Sequence, residues 1–271
     1  MSLTLGNLVL GGKCHVMGIL NVTPDSFYDG GLHFDLADTQ RRVDAMVEEG
    51  VEIIDIGGES TRPGSKPVTI DEELDRVIPA IKYIAENYDI PISIDTQKSE
   101  VAKKAVEAGA HIVNDVGGLR NEDMISVVSE MNVPVIMMHM QGTPENMQKN
   151  PQYGDVVEDI KEWLEKRIKA AGKAGIKRSN IIVDPGIGFG KNLKHNLELL
   201  GRLGEFKGMA GGVLLGASRK SFIAMMAGNE KGDRLTGSLS AAIMGVTGGV
   251  DILRVHDVKE TLSAVNAVNN L

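Results

Sequence analysis

Short aliphatic runs recur eight times along the chain, and each ends in a polar or charged residue before a stretch with helical spacing. Residues 16–20 close on Asn21, 51–54 on Asp55, 91–94 on Asp95, and 111–113 on Asn114 and Asp115. Residues 135–138 close on His139, 181–183 on Asp184 and 213–217 on Ser218, while the run 252–256 carries Arg254 inside it. Strands buried on both faces read as near-continuous aliphatic runs, and parallel neighbours need a crossover of about a dozen residues or more, usually helical. The intervening stretches fit. Residues 38–50 place Val43, Met46 and Val47 near helical spacing and close on Gly50. Residues 98–109 repeat the design with Val101, Ala105 and Ala108, and 155–175 lengthen it through Ile160, Leu164 and Ile168. Eight such units in 271 residues predict an α/β fold of the (β/α)8 TIM-barrel type; an open doubly wound sheet usually has fewer strands. Ahead of them, residues 3–10 with Gly6 and Asn7 read as an N-terminal β-hairpin capping the lower end of the barrel. No linker or low-complexity segment divides the chain, so residues 1–271 are expected to form a single domain.

In such barrels the chemistry sits at the C-terminal ends of the strands. One polar residue after a strand is commonly a helix cap or a turn former, and Ser218 and Asp38 fit that description. Eight endings on one rim, rich in Asp, Asn, Arg and His with few Ser or Thr, point to a ligand site. The last two units are the most specific. Ser218, Arg219, Lys220, Ser221 and Phe222 open a short helical stretch to about Ala227, and a second helix over 235–247 makes the crossover. An extra short helix after the seventh strand is a frequent phosphate site in these barrels. Arg254 and His256 share one side of their strand, because side chains alternate, and with Lys220 they predict an anion receptor.

The string DPGIGFGK at 184–191 fits neither the dinucleotide-binding nor the P-loop spacing. Its glycines are read as letting the backbone turn sharply and approach a flat ligand, with Asp184 accepting hydrogen bonds from it. Asp95 and Asn114 would complete a polar edge suited to a nitrogen heterocycle with an amidine-like face, since a carboxylate accepts from paired N–H donors. The long loops after strands 1 and 2, residues 21–31 and 57–67, are rich in Gly, Pro and functional side chains and read as lids.

Composition narrows the setting. The hydrophobic fraction is 42%, yet no apolar stretch approaches the roughly 20 residues that span a bilayer, so no membrane partner is expected. Cys14 is the single cysteine and the N-terminus has no signal-like segment, which together point to the cytoplasm. A formal charge of −8 argues against nucleic acid as a partner.

These motifs resemble the bacterial dihydropteroate synthases, almost from end to end. The resemblance is carried by MGILNVTPDSF at 17–27, DIGGESTRPGS at 55–65, NDVGG at 114–118, HMQGTP at 139–144, DPGIGFG at 184–190, SRKS at 218–221 and RVH at 254–256. It implies a transferase of folate biosynthesis and a sulfonamide target. Such an enzyme condenses 6-hydroxymethyl-7,8-dihydropterin diphosphate with p-aminobenzoate, giving 7,8-dihydropteroate and diphosphate. Position by position, it implies Asp95, Asn114, Asp184 and Lys220 at the pterin edge, and Asn21, Thr61, Arg62, Arg254 and His256 at the diphosphate. Mg2+ would associate with Asn21. Phe189 and Gly216 would line the ring, and Phe27, Thr61, Pro63, Lys220 and Ser221 would shape the aminobenzoate pocket. Tyr28 stands where the family commonly has Ser. A homodimer is also implied.

No activated protein nucleophile is evident, because Cys14 begins the first strand, at the wrong end of a barrel. A direct, SN1-like transfer is therefore expected, with Lys220, Asp184, Arg254 and Asp29 as its catalytic groups and Asp29 near the developing positive charge. Two other functions use part of the same residue set. A folate-binding methyltransferase would keep Asp95, Asn114 and Asp184 but would not need Lys220, Arg254, His256 or the loop at 61–63. A non-catalytic pterin-binding protein would keep the pocket and lose turnover.

Overall fold

The computed structural model describes residues 3–23, 36–60, 67–226, 228 and 234–269. A two-stranded antiparallel hairpin, β1 (Thr4–Leu5) and β2 (Leu8–Val9), opens the chain. Eight parallel strands then close into a barrel in chain order: β3 (His15–Asn21), β4 (Ile53–Gly57), β5 (Ile92–Asp95), β6 (Ile112–Asp115), β7 (Val135–Met138), β8 (Ile181–Asp184), β9 (Gly212–Leu215) and β10 (Ile252–Val255). β10 pairs with both β9 and β3, which completes the ring. The crossovers carry α1 (Leu36–Glu48), α2 (Ile70–Asn87), α3 (Ser99–Glu107), α4 (Glu122–Met131), α5 (Val156–Lys173), α6 (Leu193–Gly201), α7 (Ser221–Met226) and α8 (Leu235–Thr247), and α9 (Val258–Asn269) follows β10. The expected barrel, hairpin and paired helices after the seventh barrel strand are all present.

One strand ends where its apolar run does, and one ends earlier. β7 stops at Met138, although the His139 N–H still donates to the Asp184 carbonyl at 2.9 Å, so the ladder runs one bond further. β9 stops at Leu215, three residues before Ser218, and its pairing to β10 ends at Leu215 opposite Leu253. Small Gly216 and Ala217 continue the apolar run without continuing the ladder.

The two-residue period of a strand converts the floor of the barrel into its site. Met17, Ile53, Ile112, Ile136, Ile182, Leu214 and Ile252 pack together at the lower end, where Leu3, Leu5 and Leu10 of the hairpin segment plug them. Two residues further along, the same inward face carries Asp55, Asn114, Asp184, Gly216 and Arg254. The outward face, including Val16, Ile54, Ile56, Ile92, Ile94, Val113 and Val183, packs against the helices in the larger core. Register then sets neighbours side by side across four strands: Asn21 lies opposite Gly57, Gly57 opposite Asp95, and Asp95 opposite Asn114.

Candidate functional site

Arg254 occupies the centre of the barrel mouth. Its Nε donates to Asp55 Oδ2 at 2.5 Å and its Nη2 to Asp95 Oδ2 at 2.6 Å. Asn114 Nδ2 donates to the same Asp55 carboxylate, at 3.2 Å from Oδ2. Asp55 is fully buried, so these two donors replace the water it loses. Burial works against the Arg254 charge, but Asp55 and then Asp95 outweigh it and push its pKa up. Asp95 is different: its Oδ1 is buried and has no hydrogen-bond partner among the described residues. Burial pushes the Asp95 carboxyl up to about 7 despite the pull of Arg254. An orphaned buried acceptor costs about 1–3 kcal/mol. A ligand N–H would relieve that cost.

Across the mouth, Asp184 Oδ1 accepts from the Gly186 N–H at 2.7 Å, and burial raises its pKa against the opposing pull of Lys220. Lys220 Nζ donates to the Ile187 carbonyl at 2.6 Å and lies 4.3 Å from the centroid of the Phe189 ring. Burial lowers the Lys220 pKa to about 8, although Asp184 opposes it. Gly216 marks where these groups meet. A Cβ there would lie 3.8 Å from Lys220 Nζ, 3.9 Å from Asp184 Oδ2 and 4.0 Å from Arg254 Cβ. Gly57 plays the matching part on the other side, 3.8 Å from both Asn21 Oδ1 and Asp95 Oδ2 by the same measure. A wall of Val116, Met138, Met140 and Met147 packs with Phe189 and gives the polar ring an apolar side.

The segments that follow β9 and β10 are tied together. The Ser218 hydroxyl accepts from the His256 N–H at 3.2 Å and lies 3.1 Å from its Nδ1, so Ser218 orients His256 rather than capping a helix. Arg42 donates to the His256 carbonyl at 3.0 Å. Arg219 takes φ +56° and forks onto Asp257 at 2.8 and 2.5 Å. Ser221 opens α7 with its side chain exposed.

The glycine-rich loop differs from expectation at Gly186. At φ +69°, a Cβ there would sit 1.8 Å from the His139 carbonyl oxygen, so the backbone approached so closely is the protein's own. The loop is closed by Lys191, a buried residue that pattern reading did not single out. Asp55 was visible as a strand ending, but its pairing with Arg254 depends on barrel closure. Nor does the sequence reveal that Lys98 joins buried Glu73, at 2.5 Å, and Glu59 at the start of the second long loop.

Phe27, Tyr28, Asp29, Thr61, Arg62 and Pro63 lie outside the described residues. The fit to Mg2+ is restricted by donor type. No cluster of three or more His, Cys, Asp or Glu side chains suited to a metal occurs among the described residues. Asn21 offers one hard amide oxygen near Asp95. That set suits an ion held mainly by phosphate oxygens and water, as Mg2+ commonly is, and does not suit an all-protein cage.

Comparison with known proteins agrees with this geometry. Residues 17–256 match the family described as pterin binding enzyme. The chain is 46% identical to dihydropteroate synthase of Escherichia coli over 254 residues, covering 94% of this chain and 90% of the relative. The Yersinia pestis dihydropteroate synthase, solved in a sulfonamide drug complex, superposes with a TM-score of 0.94 at 42% identity, covering 100% of this chain and 98% of that one. The Xanthomonas albilineans enzyme in complex with 7,8-dihydropteroate gives a TM-score of 0.88 at 38% identity, covering 98% and 97%. The chain belongs to the pterin-binding enzymes and, among them, to the dihydropteroate synthase family.

Proposed function

We propose that this barrel joins 6-hydroxymethyl-7,8-dihydropterin diphosphate to p-aminobenzoate, giving 7,8-dihydropteroate and diphosphate in folate biosynthesis. The observation that carries the reading is the unpartnered, buried Oδ1 of Asp95, set in register beside Asn114 and held by the arginine expected to meet the leaving group. The dihydropteroate bound to the Xanthomonas relative supports the same chemistry. Incubation with both substrates and Mg2+, with detection of dihydropteroate, tests it. Pterin bound without product would mark a non-catalytic binder instead.

In this reading Asp95, Asn114 and Asp184 receive the N–H edge of the pterin, while Phe189 and Gly216 line its ring. Arg254 keeps capacity for the diphosphate because a guanidinium has five N–H donors and the pairs with Asp55 and Asp95 use two. His256 and Asn21 complete the receptor. The bond from the pterin methylene carbon to the diphosphate oxygen breaks, and its electron pair leaves with diphosphate. The amine nitrogen of p-aminobenzoate then closes the new C–N bond and loses one proton. Fixed charges in a dry site stabilise the departing anion without reorganising. A divalent ion carried on the diphosphate would add charge neutralisation, with Asn21 as its protein donor.

An ammonium beside a cationic methylene is unfavourable. The lowered pKa of Lys220 and its bond to the Ile187 carbonyl reduce that conflict and leave it to hydrogen-bond the ring. Asp29 is assigned to the developing positive charge. Thr61 and Arg62 extend the diphosphate receptor, and Phe27, Thr61, Pro63, Lys220 and Ser221 bound the aminobenzoate pocket.

The same proposal includes a homodimer in the cytoplasm. Leu197, Met225, Ile243 and Met244 are exposed on α6, α7 and α8, helices that pack on one another. A second copy would cover this apolar face. No helix among the described residues is long and apolar enough to cross a membrane. Cys14 is buried and its thiol is pushed up to about 12, which leaves it unreactive.

A further inference from the structure

The loop after β8 supports the lysine that faces the pterin site. Lys220 bonds to the Ile187 carbonyl and lies over Phe189, and a Cβ on Gly188 would lie 2.9 Å from Lys220 Cδ. A loop with Gly186, Gly188 and Gly190 all at positive φ has little intrinsic stiffness. Lys191 supplies what its glycines lack. Its side chain is 3% exposed, and Nζ donates to the carbonyls of Gly186 at 2.8 Å and Phe189 at 2.9 Å. It also lies 3.1 Å from His139 Nδ1.

Two N–H donors of the amine go to the two carbonyls, and the contact with His139 Nδ1 uses the third position on Nζ, as donor or acceptor according to the histidine tautomer. Burial lowers the Lys191 pKa, whereas Asp184 favours its charge. Burial, with Lys191 and Arg120 nearby, pushes His139 down to about 2, so its ring is neutral and can accept at Nδ1. His139 is itself fixed by edge contact with Trp163, with ring centroids 5.1 Å apart. The buried Lys191 amine therefore ties both ends of the 186–189 loop to the end of β7.

We propose that Lys191 is a positioning residue for the condensation: it clamps the 186–189 loop so that Ile187 and Phe189 present Lys220 to the pterin, and it touches neither substrate. The inference rests on the pterin reading given above. Lys191→Met keeps the length of the side chain and removes all three contacts. The measurements are its unfolding midpoint, its affinity for 6-hydroxymethylpterin without the diphosphate, and its KM and kcat for the pterin diphosphate. A clamp predicts a retained cooperative melt, with pterin Kd and KM both raised about tenfold or more and kcat changed less than KM. A lowered melting temperature with wild-type pterin affinity in the folded protein would overturn the proposal, because that is what a merely structural lysine would give. Wild-type protein that binds no pterin would overturn the functional reading instead. Should Lys191→Met fail to fold, wild-type protein decides. The Lys191 13Cε resonance reads an immobilised side chain whatever its charge; it should move when pterin is added, and an unmoved resonance overturns the clamp.

Discussion

Arg254 and Asp95 meet at 2.6 Å across the barrel mouth, yet Asp95 keeps its second oxygen buried and unpartnered. The pair joins the two halves of the site. One Asp95 oxygen orients the cation assigned to the leaving group, and the other is free to accept from the pterin. Asp95→Asn removes the charge that both roles use. It should lower kcat/KM for the pterin diphosphate by about 2 kcal/mol or more, roughly 30-fold. Steady-state kinetics checks this, and turnover within a factor of two of wild type would contradict the assignment.

The raised Asp95 pKa gives a pH dependence with a definite sign. Its folded value of about 7 lies above the 3.8 of an ordinary aspartate carboxyl, so between the two the folded state binds more protons than the unfolded state. Its contribution to stability is therefore greatest below about 4 and declines as pH rises through 7. Pterin binding has the opposite trend, because the ionised carboxylate is the better acceptor. Calorimetric affinity for a diphosphate-free pterin should rise between about pH 6 and about pH 8, roughly one unit either side of the folded value. The rise should flatten in Asp95→Asn. The same rise persisting in that variant would assign it to another group.

Lys220→Ala and Asp184→Ala should each cost about 2 kcal/mol or more in kcat/KM, since each removes a buried, charged hydrogen-bonding group. Near-normal turnover in either variant would remove the corresponding role. The two losses should add to less than their sum in the double variant, because both side chains meet at Gly216.

Gly186→Ala tests how the loop is packed. The new methyl group would collide with the His139 carbonyl oxygen and hold L-backbone at positive φ. Unfolding should become easier by about 2–4 kcal/mol, with pterin affinity falling as well. Denaturant titration measures the first effect, and an unchanged midpoint would show that the loop can shift freely.

Arg62→Ala should raise KM for the pterin diphosphate while leaving binding of diphosphate-free pterin intact, as its assignment to the diphosphate receptor implies. Adding a chelator should remove most turnover while leaving binding of diphosphate-free pterin intact. An unchanged KM for the pterin diphosphate would reject the first expectation, and full activity without a divalent ion would reject the second.

The barrel was legible because its strands are buried on both faces and each ends in a polar residue. The inward period then carries Ile112 to Asn114, Ile182 to Asp184 and Ile252 to Arg254. Asp95, Asn114 and Asp184 could thus be grouped from the sequence alone. The pairing of Arg254 with Asp55 could not be read this way, because the two are 199 residues apart and meet only when β10 closes on β3. Lys191 was hidden for another reason: a lysine after a glycine-rich loop gives no local sign of turning inward. The glycines of that loop were recognised as permissive, but their neighbour proved to be the His139 backbone at Gly186.

The most direct measurement is a single incubation with pterin diphosphate, p-aminobenzoate and Mg2+ in which diphosphate and dihydropteroate are quantified together, for wild type and Asp95→Asn. The site described here predicts equal amounts of the two products from wild type and a parallel loss of both in the variant. Pterin binding without diphosphate release, or diphosphate release without dihydropteroate, would contradict it.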